Sequence, residues 1–312
     1  VNLQPTKLDN FIGQDRIKKA VSVSIQASKK RKQAFPHILI YGGSGLGKTT
    51  LANIIANECK SYCSTFLASV LESHEPVYTA LKSMQRNDFL FIDEVHALPK
   101  KLQETLYTAM TDKKIETTIN GYRYTHNIND FTCMSATTEI GSLTPPFRER
   151  FGFIIGLDKY TDSEMQTIVS MYTDKLKFKH TKEAIKIIAG ASRLNPRTAT
   201  RIIDRCADTA VVSKSKSINE SIVLETLDYL QIDTSGLTYY DFVILRMLQE
   251  RFRMMPTGLS NLALTANIDE KDLTNMYEPF LVEHNLIERT PRGRVITQEG
   301  IIAYANYRKK NK

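Results

Sequence analysis

An α/β fold, a parallel sheet covered by helices, is predicted for the first half of this chain, with a helical domain and a small helix-and-hairpin domain after it. Three observations predict it. Up to about Asp158, apolar strand-like runs alternate with helix-like segments, the pattern of parallel strands joined by crossover helices. The runs Ile38–Ile40 and Phe89–Ile92 are apolar throughout, as strands buried on both faces must be. Beyond Asp158 the apolar spacing becomes helical, and from Asp233 short helical stretches lead into a hairpin-like run with Pro291-Arg292-Gly293 at its turn.

The first functional element lies between the first apolar run and a helix-like segment from Leu51 to Cys59. Gly42-Gly43-Ser44-Gly45-Leu46-Gly47-Lys48-Thr49 matches the phosphate-loop pattern G-x-x-x-x-G-K-[ST]. Glycines such as Gly45 and Gly47 let backbone N–H groups curl round a phosphate, and the helix N-terminus adds the positive end of its dipole. Lys48 is expected to reach the outer phosphates of ATP, and Thr49 to ligate Mg²⁺. The second element, Asp93-Glu94, ends the buried run Phe89–Ile92, at the strand end where nucleotide sites form. Asp93 is expected in the metal shell, and Glu94 is expected to polarise the attacking water.

Three further elements follow in order. Phe131–Thr138 is a strand-like run ending in hydroxyls, which sets Thr138 beside the acidic pair to sense the γ-phosphate. Pro145-Pro146-Phe147-Arg148-Glu149-Arg150 places arginines after a stiff diproline, where a cation can stabilise transition-state charge. Asn195-Pro196-Arg197 opens a helix, with Pro196 suited to its first turn and Arg197 able to point back at nucleotide. As an ordered set behind a phosphate loop, these resemble the sensors and arginine finger of AAA+ ATPases.

The resemblance is closer to one family. Leu8–Gln14, Phe91–His96, Ser135–Thr138, Phe147–Gly152, and above all Tyr277-Glu278-Pro279-Phe280-Leu281 with the distal Arg289-Thr290-Pro291-Arg292-Gly293-Arg294-Val295, are similar to RuvB sequences, from about Leu3 to Tyr304. The resemblance implies an AAA+ P-loop core over residues 1–158, a helical lid over 159–232 and a C-terminal winged helix over 233–312. It implies a hexameric ATPase that drives branch migration of Holliday junctions in DNA recombination and repair, with RuvA and RuvC as partners. Matched one at a time, Lys48, Thr49 and Thr50 fall on phosphate and Mg²⁺ positions, Asp93 and Glu94 on the hydrolytic pair, Arg150 on a finger acting in trans, and Arg197 on a second sensor. Tyr160 matches the aromatic beside adenine, and Leu3, Gln4, Ile12 and Asp112 fall at other nucleotide-binding positions. Gln4 stands where the family carries arginine, Gly43-Ser44 where it carries Pro-Pro, and only Asp112 survives of a Glu-Asp-aromatic stretch. The segment 115–130 departs most. In the family it is a hairpin that docks RuvA, whereas here Ile119-Asn120-Gly121-Tyr122 suggests an Asn-Gly turn in a shorter ribbon.

Composition agrees. At 312 residues and 42% hydrophobic content the chain can fill more than one core. Its formal charge of +8 favours a polyanionic partner such as DNA. No apolar run is long enough for a membrane span, and Val1–Pro5 lacks the apolar segment of a secretion signal, so the expected location is the cytoplasm, on the nucleoid. Four cysteines form no zinc-ligand pattern and are expected as free thiols. On the hairpin, Arg289, Arg292 and Arg294 are expected to crowd one wing and contact DNA phosphates without reading bases. Lys29–Lys32 is expected to cover an exposed helix end, and Arg308–Lys312 to be a disordered basic tail.

Other functions share part of this pattern. A clamp-loader subunit would carry Ser-Arg-Cys at the finger in place of Phe147-Arg148-Glu149-Arg150, and a replication initiator a longer base-reading domain. A protein unfoldase would show an aromatic pore loop between Leu51 and Phe89. A nucleotide-gated DNA-binding module without turnover would not need Glu94 and Arg150.

Overall fold

The computed structural model describes residues 4–71, 73–119 and 122–310. The chain forms two compact units, one holding the residues up to Lys175 together with Leu194–Arg197, the other Leu176–Arg193 and Thr198 onward.

The first unit is built on five parallel strands: β1 (Ile38–Tyr41), β2 (Cys63–Leu67), β3 (Phe89–Asp93), and, after the hairpin strands β4 (Lys114–Ile119) and β5 (Tyr122–Asn127), β6 (Thr132–Thr137) and β7 (Phe153–Gly156). Their order across the sheet is β2-β3-β6-β1-β7. Ile38, Leu39, Ile40, Leu90, Phe91 and Ile92 are wholly buried, so the unbroken apolar runs reflect strands covered on both faces. β6 lies between β1 and β3, with Tyr41 opposite Thr137 and Ile92 opposite Ser135. The loop after β1 and the acidic pair at the end of β3 therefore flank the carboxyl end of β6.

Helices α1 (Asp15–Arg31), α2 (Lys48–Cys59), α3 (Glu75–Ser83) and α4 (Lys100–Asp112) belong to this unit. α2 starts at the phosphate loop and buries Leu51, Ile54 and Ile55, one apolar face at helical spacing. It stops at Lys60, which has a φ of 56°, so Cys59 and Cys63 do not share a helix face: Cys63 begins β2. The end of α1 carries the expected basic run, and Lys29 donates to the Glu58 carbonyl at 2.7 Å, placing a cation at the carboxyl end of α2. β4 and β5 form an antiparallel ribbon in which Ile119 faces Tyr122. The connecting Asn120-Gly121, read as its turn, lies outside the described residues. The helix Asp162–Lys175, expected in the lid, packs in this unit, burying Met165, Ile168 and Val169.

The second unit contains helices Lys182–Ala191, Pro196–Val212 from Thr198 onward, and Glu220–Tyr229, the first capped by Thr181 and the last by Asn219. It continues with Tyr239–Arg246, extended by a π turn through Arg251, then Leu259–Ala266 and the run Glu270–Glu283, broken by a π turn at Leu273–Tyr277. An antiparallel hairpin follows, Ile287–Thr290 with Gly293–Ile296, and Thr257 adds a one-residue third strand by exchanging hydrogen bonds with Arg294. Helices and hairpin in this order make a winged helix around Phe242, Ile244, Leu245, Leu248, Leu262 and Leu281. The expected disordered tail is instead the end of a helix, Gln298–Lys310, with Tyr304 buried and Arg308 paired to Glu250 at 3.1 Å. Lys310 is its last described residue.

Arg193 fastens this unit internally. Its guanidinium donates to the Gly236 carbonyl at 2.7 Å, pairs with the wholly buried Asp241, and lies 4.0 Å from the centre of the Phe280 ring. Asp241 also accepts from the Thr238 N–H and hydroxyl at 2.7 and 2.5 Å, starting the helix Tyr239–Arg246. Arg193→Ala would strand a buried carboxylate, so it is expected to destabilise this unit by about 3 kcal/mol, measured by denaturant unfolding. Adding Asp241→Asn should recover part of that loss, whereas additive losses would mean that the two side chains do not act as a pair.

Candidate nucleotide and nucleic-acid sites

The phosphate loop is an open cradle with its lysine already indoors. Lys48 is buried, and its ammonium donates to the carbonyls of Gly42 and Gly43 at 2.9 Å each. Burial lowers its pKa, while the carboxylates of Glu94 and Asp93 act in the opposite direction. Gly45 has a φ of 78°, and a Cβ there would come within 2.3 Å of Asn195 Oδ1. Only glycine satisfies both the turn and that close approach.

Across the end of β6, the Thr49 hydroxyl donates to Asp93 Oδ2 at 2.6 Å, and Asp93 Oδ1 accepts the Glu94 N–H at 3.0 Å. Glu94 has a φ of 52°, the left-handed conformation that turns the chain out of β3. Its Oε2 accepts from Thr138 at 3.5 Å and lies 3.3 Å from His96 Nδ1. Thr50 follows in the first turn of α2, half-buried. Two hard oxygen donors, Thr49 Oγ1 and Asp93 Oδ2, thus stand together beside the phosphate loop, a donor set suited to Mg²⁺.

Residues 194–197 close on the loop from the other side. Asn195 Nδ2 donates to the Ser44 carbonyl at 2.8 Å, and Arg197 donates to the Ser44 hydroxyl at 3.3 Å. Ser44 stands where relatives of this sequence were expected to carry proline, and its hydroxyl gives Arg197 a partner that proline could not. The Tyr160 hydroxyl donates to the Leu46 carbonyl at 3.0 Å, and burial raises its pKa. Gln14 exchanges hydrogen bonds with the backbone of Asp158 at 2.7 and 3.2 Å, next to the half-buried Ile12. Gln4 is exposed, and Leu3 lies outside the described residues.

Sequence reasoning missed Asn195, Gln14 and His96 as members of this site. Asn195 and His96 stood inside motifs already singled out, but their partners, Ser44 and Thr137, are distant in sequence and left no local signal.

Two expected residues are not brought to this phosphate loop. Arg150 donates to the Tyr107 hydroxyl at 2.6 Å and sits 4.5 Å from the centre of that ring, on α4. Asp112 ends α4, exposed, near Met110 and Lys113, both of which act on His37 just before β1. That is the amino end of the sheet, opposite the phosphate loop.

In the second unit the wing arginines divide. Glu278, almost wholly buried, accepts from Arg289 Nε at 2.6 Å on Oε1, and from Arg294 Nε at 2.8 Å and its terminal nitrogen at 3.2 Å. Burial would raise the Glu278 carboxyl, but the hydrogen bonds from Arg294 and Arg289 outweigh it and its pKa is lowered. Arg294 is largely covered and Arg289 half-exposed, so both are committed at least partly to the protein's own carboxylate. Arg292, in the two-residue turn, is exposed. Gly293 has a φ of 132°, and a Cβ there would meet the Thr257 carbonyl at 2.3 Å, which fixes the turn against the third strand.

The described cysteines are free thiols; burial pushes Cys59 and Cys206 up to about 11 and Cys133 to about 12, which makes them poor nucleophiles. Among the described residues no cluster of metal-ligating side chains of the zinc type occurs, and no helix is long and apolar enough to cross a membrane.

Three family models cover nearly the whole chain. Residues 3–157 match the Holliday junction DNA helicase RuvB P-loop domain, 160–233 the RuvB AAA lid domain, and 234–305 the RuvB C-terminal winged helix domain. The chain is 38% identical over 301 residues to the Holliday junction branch migration complex subunit RuvB of Thermotoga maritima, covering 95% of this chain and 90% of that protein. It is 36% identical over 306 residues to the subunit of the same name from Lactobacillus helveticus, covering 97% and 88%. The solved structure of the Thermotoga maritima RuvB Holliday junction branch migration motor superposes with a TM-score of 0.82 at 38% identity over 98% of each chain. A mutant of that protein gives 0.84 over the same coverage.

Because Glu278 relies on Arg294 for its second oxygen, Arg294→Ala should destabilise the winged helix by about 1 to 3 kcal/mol, whereas Arg292→Ala should leave its unfolding midpoint unchanged. A carboxyl held below its unfolded value stabilises the fold above the ordinary glutamate range, and that stabilisation is lost as pH falls through the folded value. Acid should therefore lower the melting temperature of the unmodified chain more steeply than that of Glu278→Gln.

Proposed function

The chain belongs to the RuvB family, and on that premise we propose that it is an ATP-driven motor which advances Holliday-junction branch points along duplex DNA as a ring of identical subunits, in complex with RuvA. The observation that carries the ATPase reading is the Thr49–Asp93 hydrogen bond at 2.6 Å, which joins the phosphate loop to the acidic pair across β6. A solvated Asp-Glu turn would make no such link.

The chemistry follows from the side chains in place. ATP phosphates lie against the N–H groups of Gly45, Gly47 and the first turn of α2, with the helix dipole behind them. Lys48 exchanges its two loop carbonyls for phosphate oxygens; having been desolvated beforehand, it gives up little hydration on doing so. Thr49 and Asp93 would hold Mg²⁺, and the metal when bound would supply charge neutralisation at the phosphates. Glu94 polarises the attacking water, Thr138 contacts the γ-phosphate, and Arg197, from the start of its helix, senses the same group. Gln4 offers a hydrogen bond where a charge is expected, so the base and ribose rest more on Ile12 and Tyr160.

Arg150 acts on a neighbouring subunit's nucleotide. Its guanidinium is engaged by Tyr107 and makes no hydrogen bond to Glu94, while hydrolysis needs a cation at the leaving phosphate. Asp112, at the far end of the sheet, would likewise contribute only across a subunit boundary. The exposed Tyr122 and Tyr124 of the ribbon form the surface for RuvA. Arg292 contacts DNA phosphate, with Arg289 a weaker contributor because it is shared with Glu278.

Glu94→Gln should bind ATP but nearly cease to hydrolyse it, whereas Lys48→Ala should lose affinity for ATP itself. Arg150→Ala should bind ATP and hydrolyse it about 10³ to 10⁵ times more slowly. Mixing Arg150→Ala with Lys48→Ala should restore some turnover, since an intact loop from one can face an intact finger from the other. No recovery at any ratio, once subunit exchange is demonstrated, contradicts a finger acting in trans.

For DNA, Arg292→Ala should weaken binding to unrelated duplexes alike and reduce the salt slope by about one unit. A loss confined to particular sequences would contradict a phosphate contact.

A further inference from the structure

Glu94 is held by a residue to which the reading above gives no part. His96 lies two residues on, in the 3₁₀ turn Val95–Ala97, with its side chain mostly covered. Its Nδ1 faces two oxygens at once, Thr137 Oγ1 at 3.1 Å and Glu94 Oε2 at 3.3 Å. Thr137 is wholly buried, and its oxygen already accepts the Glu139 N–H at 2.9 Å.

This geometry selects a tautomer. A ring with a bare Nδ1 could accept the Thr137 hydroxyl hydrogen but would turn its lone pair toward the Glu94 carboxylate, a repulsive contact. With hydrogen on Nδ1 the ring donates between both oxygens, and the carboxylate is the stronger acceptor of the two. Oε2 then receives His96 from one side and Thr138, at 3.5 Å, from the other. Among the described residues Oε1 has no partner. The carboxylate is thus oriented with one oxygen tied to the end of β6 and the other presented to solvent.

We infer that His96 is the positioning residue of Glu94: it anchors Oε2 to the end of β6, beside the γ-phosphate sensor Thr138, so that Oε1 faces the attacking water. The inference rests on the proposed ATPase reading. Without that contact the partly exposed Glu94 side chain would sample several rotamers and be correctly placed only part of the time. His96 makes no hydrogen bond to Lys48 or to the Thr49–Asp93 pair, so its removal should act on turnover and not on nucleotide affinity.

The test uses full-length chain with ATP and compares His96→Ala, His96→Gln and His96→Asn. The Asn side-chain nitrogen can occupy the place of Nδ1, whereas the longer Gln places its amide nearer that of Nε2. His96→Ala should lower kcat by about 10²-fold with KM and ATP affinity within about twofold of the parent, and His96→Asn should restore most of the loss while His96→Gln does not. In a Glu94→Gln background, His96→Ala should cost nothing further, because the group it positions is gone. Loss of ATP affinity or of thermal stability in step with kcat, equal defects in the Asn and Ala variants, or additive losses in the double variant would each overturn the assignment. No ATP hydrolysis by the unmodified chain would overturn the ATPase reading itself, and full activity in Glu94→Gln would overturn the role of Glu94; an inactive Glu94→Gln beside a fully active His96→Ala would overturn only the role of His96.

Discussion

A threonine hydroxyl and an aspartate carboxylate 2.6 Å apart, Thr49 and Asp93, hold the nucleotide half of this protein in register. Their strands are not neighbours, since β6 separates β1 from β3. The loop after β1 must curl over the end of β6 to reach Asp93, and the same curl brings Thr137 and Thr138 beneath the site. Moving β6 to an edge would bring the two motifs together but remove the hydroxyls and His96's buried partner. The position of that one strand therefore decides which residues can orient Glu94.

Charge is handled in the same way throughout: cations are desolvated early and given oxygen partners before any ligand arrives. Lys48 rests on two carbonyls, Arg193 on Asp241 and Gly236, and Arg294 on Glu278. Each arrangement prevents a buried or half-buried cation from collapsing onto a wrong carboxylate. For Lys48 the partners are weak neutral acceptors, readily exchanged for phosphate. For Arg193 and Arg294 the partner is a buried carboxylate, which makes those contacts part of the fold.

The phosphate loop, the acidic pair and the strands they follow were legible because each is a short local pattern whose chemistry is complete within about ten residues. The winged helix was legible in outline for the same reason, through its turn and its helical spacing. What escaped were partners separated by long stretches of chain: Asn195 with Ser44, Gln14 with Asp158, Tyr107 with Arg150. The terminal helix escaped because Gln298–Lys310 is rich in charge and tyrosine, with only a weak apolar stripe, and its order depends on Tyr304 and Arg308 reaching Glu250. The backbone at Arg193 and Leu194, both near a φ of +55°, was equally invisible, since neither residue type favours that conformation and only the packing imposes it.

The wing shows most clearly what a charge pattern alone leaves out. Arg289, Arg292 and Arg294 stand close in sequence, and a run of arginines beside a turn resembles a phosphate-binding surface. Strand alternation does not sort them, because Arg289 and Arg294 are paired across the hairpin and so share one face, and that face is the one covered by Glu278. The carboxylate follows the π turn Leu273–Tyr277 directly and is almost wholly buried there, so the two arginines are what balance its charge. These contacts fix the hairpin against the helical body. The consequence is a stiff wing that carries the exposed Arg292 at its tip, and a rigid support lets an exposed cation meet a partner without losing loop entropy at the contact.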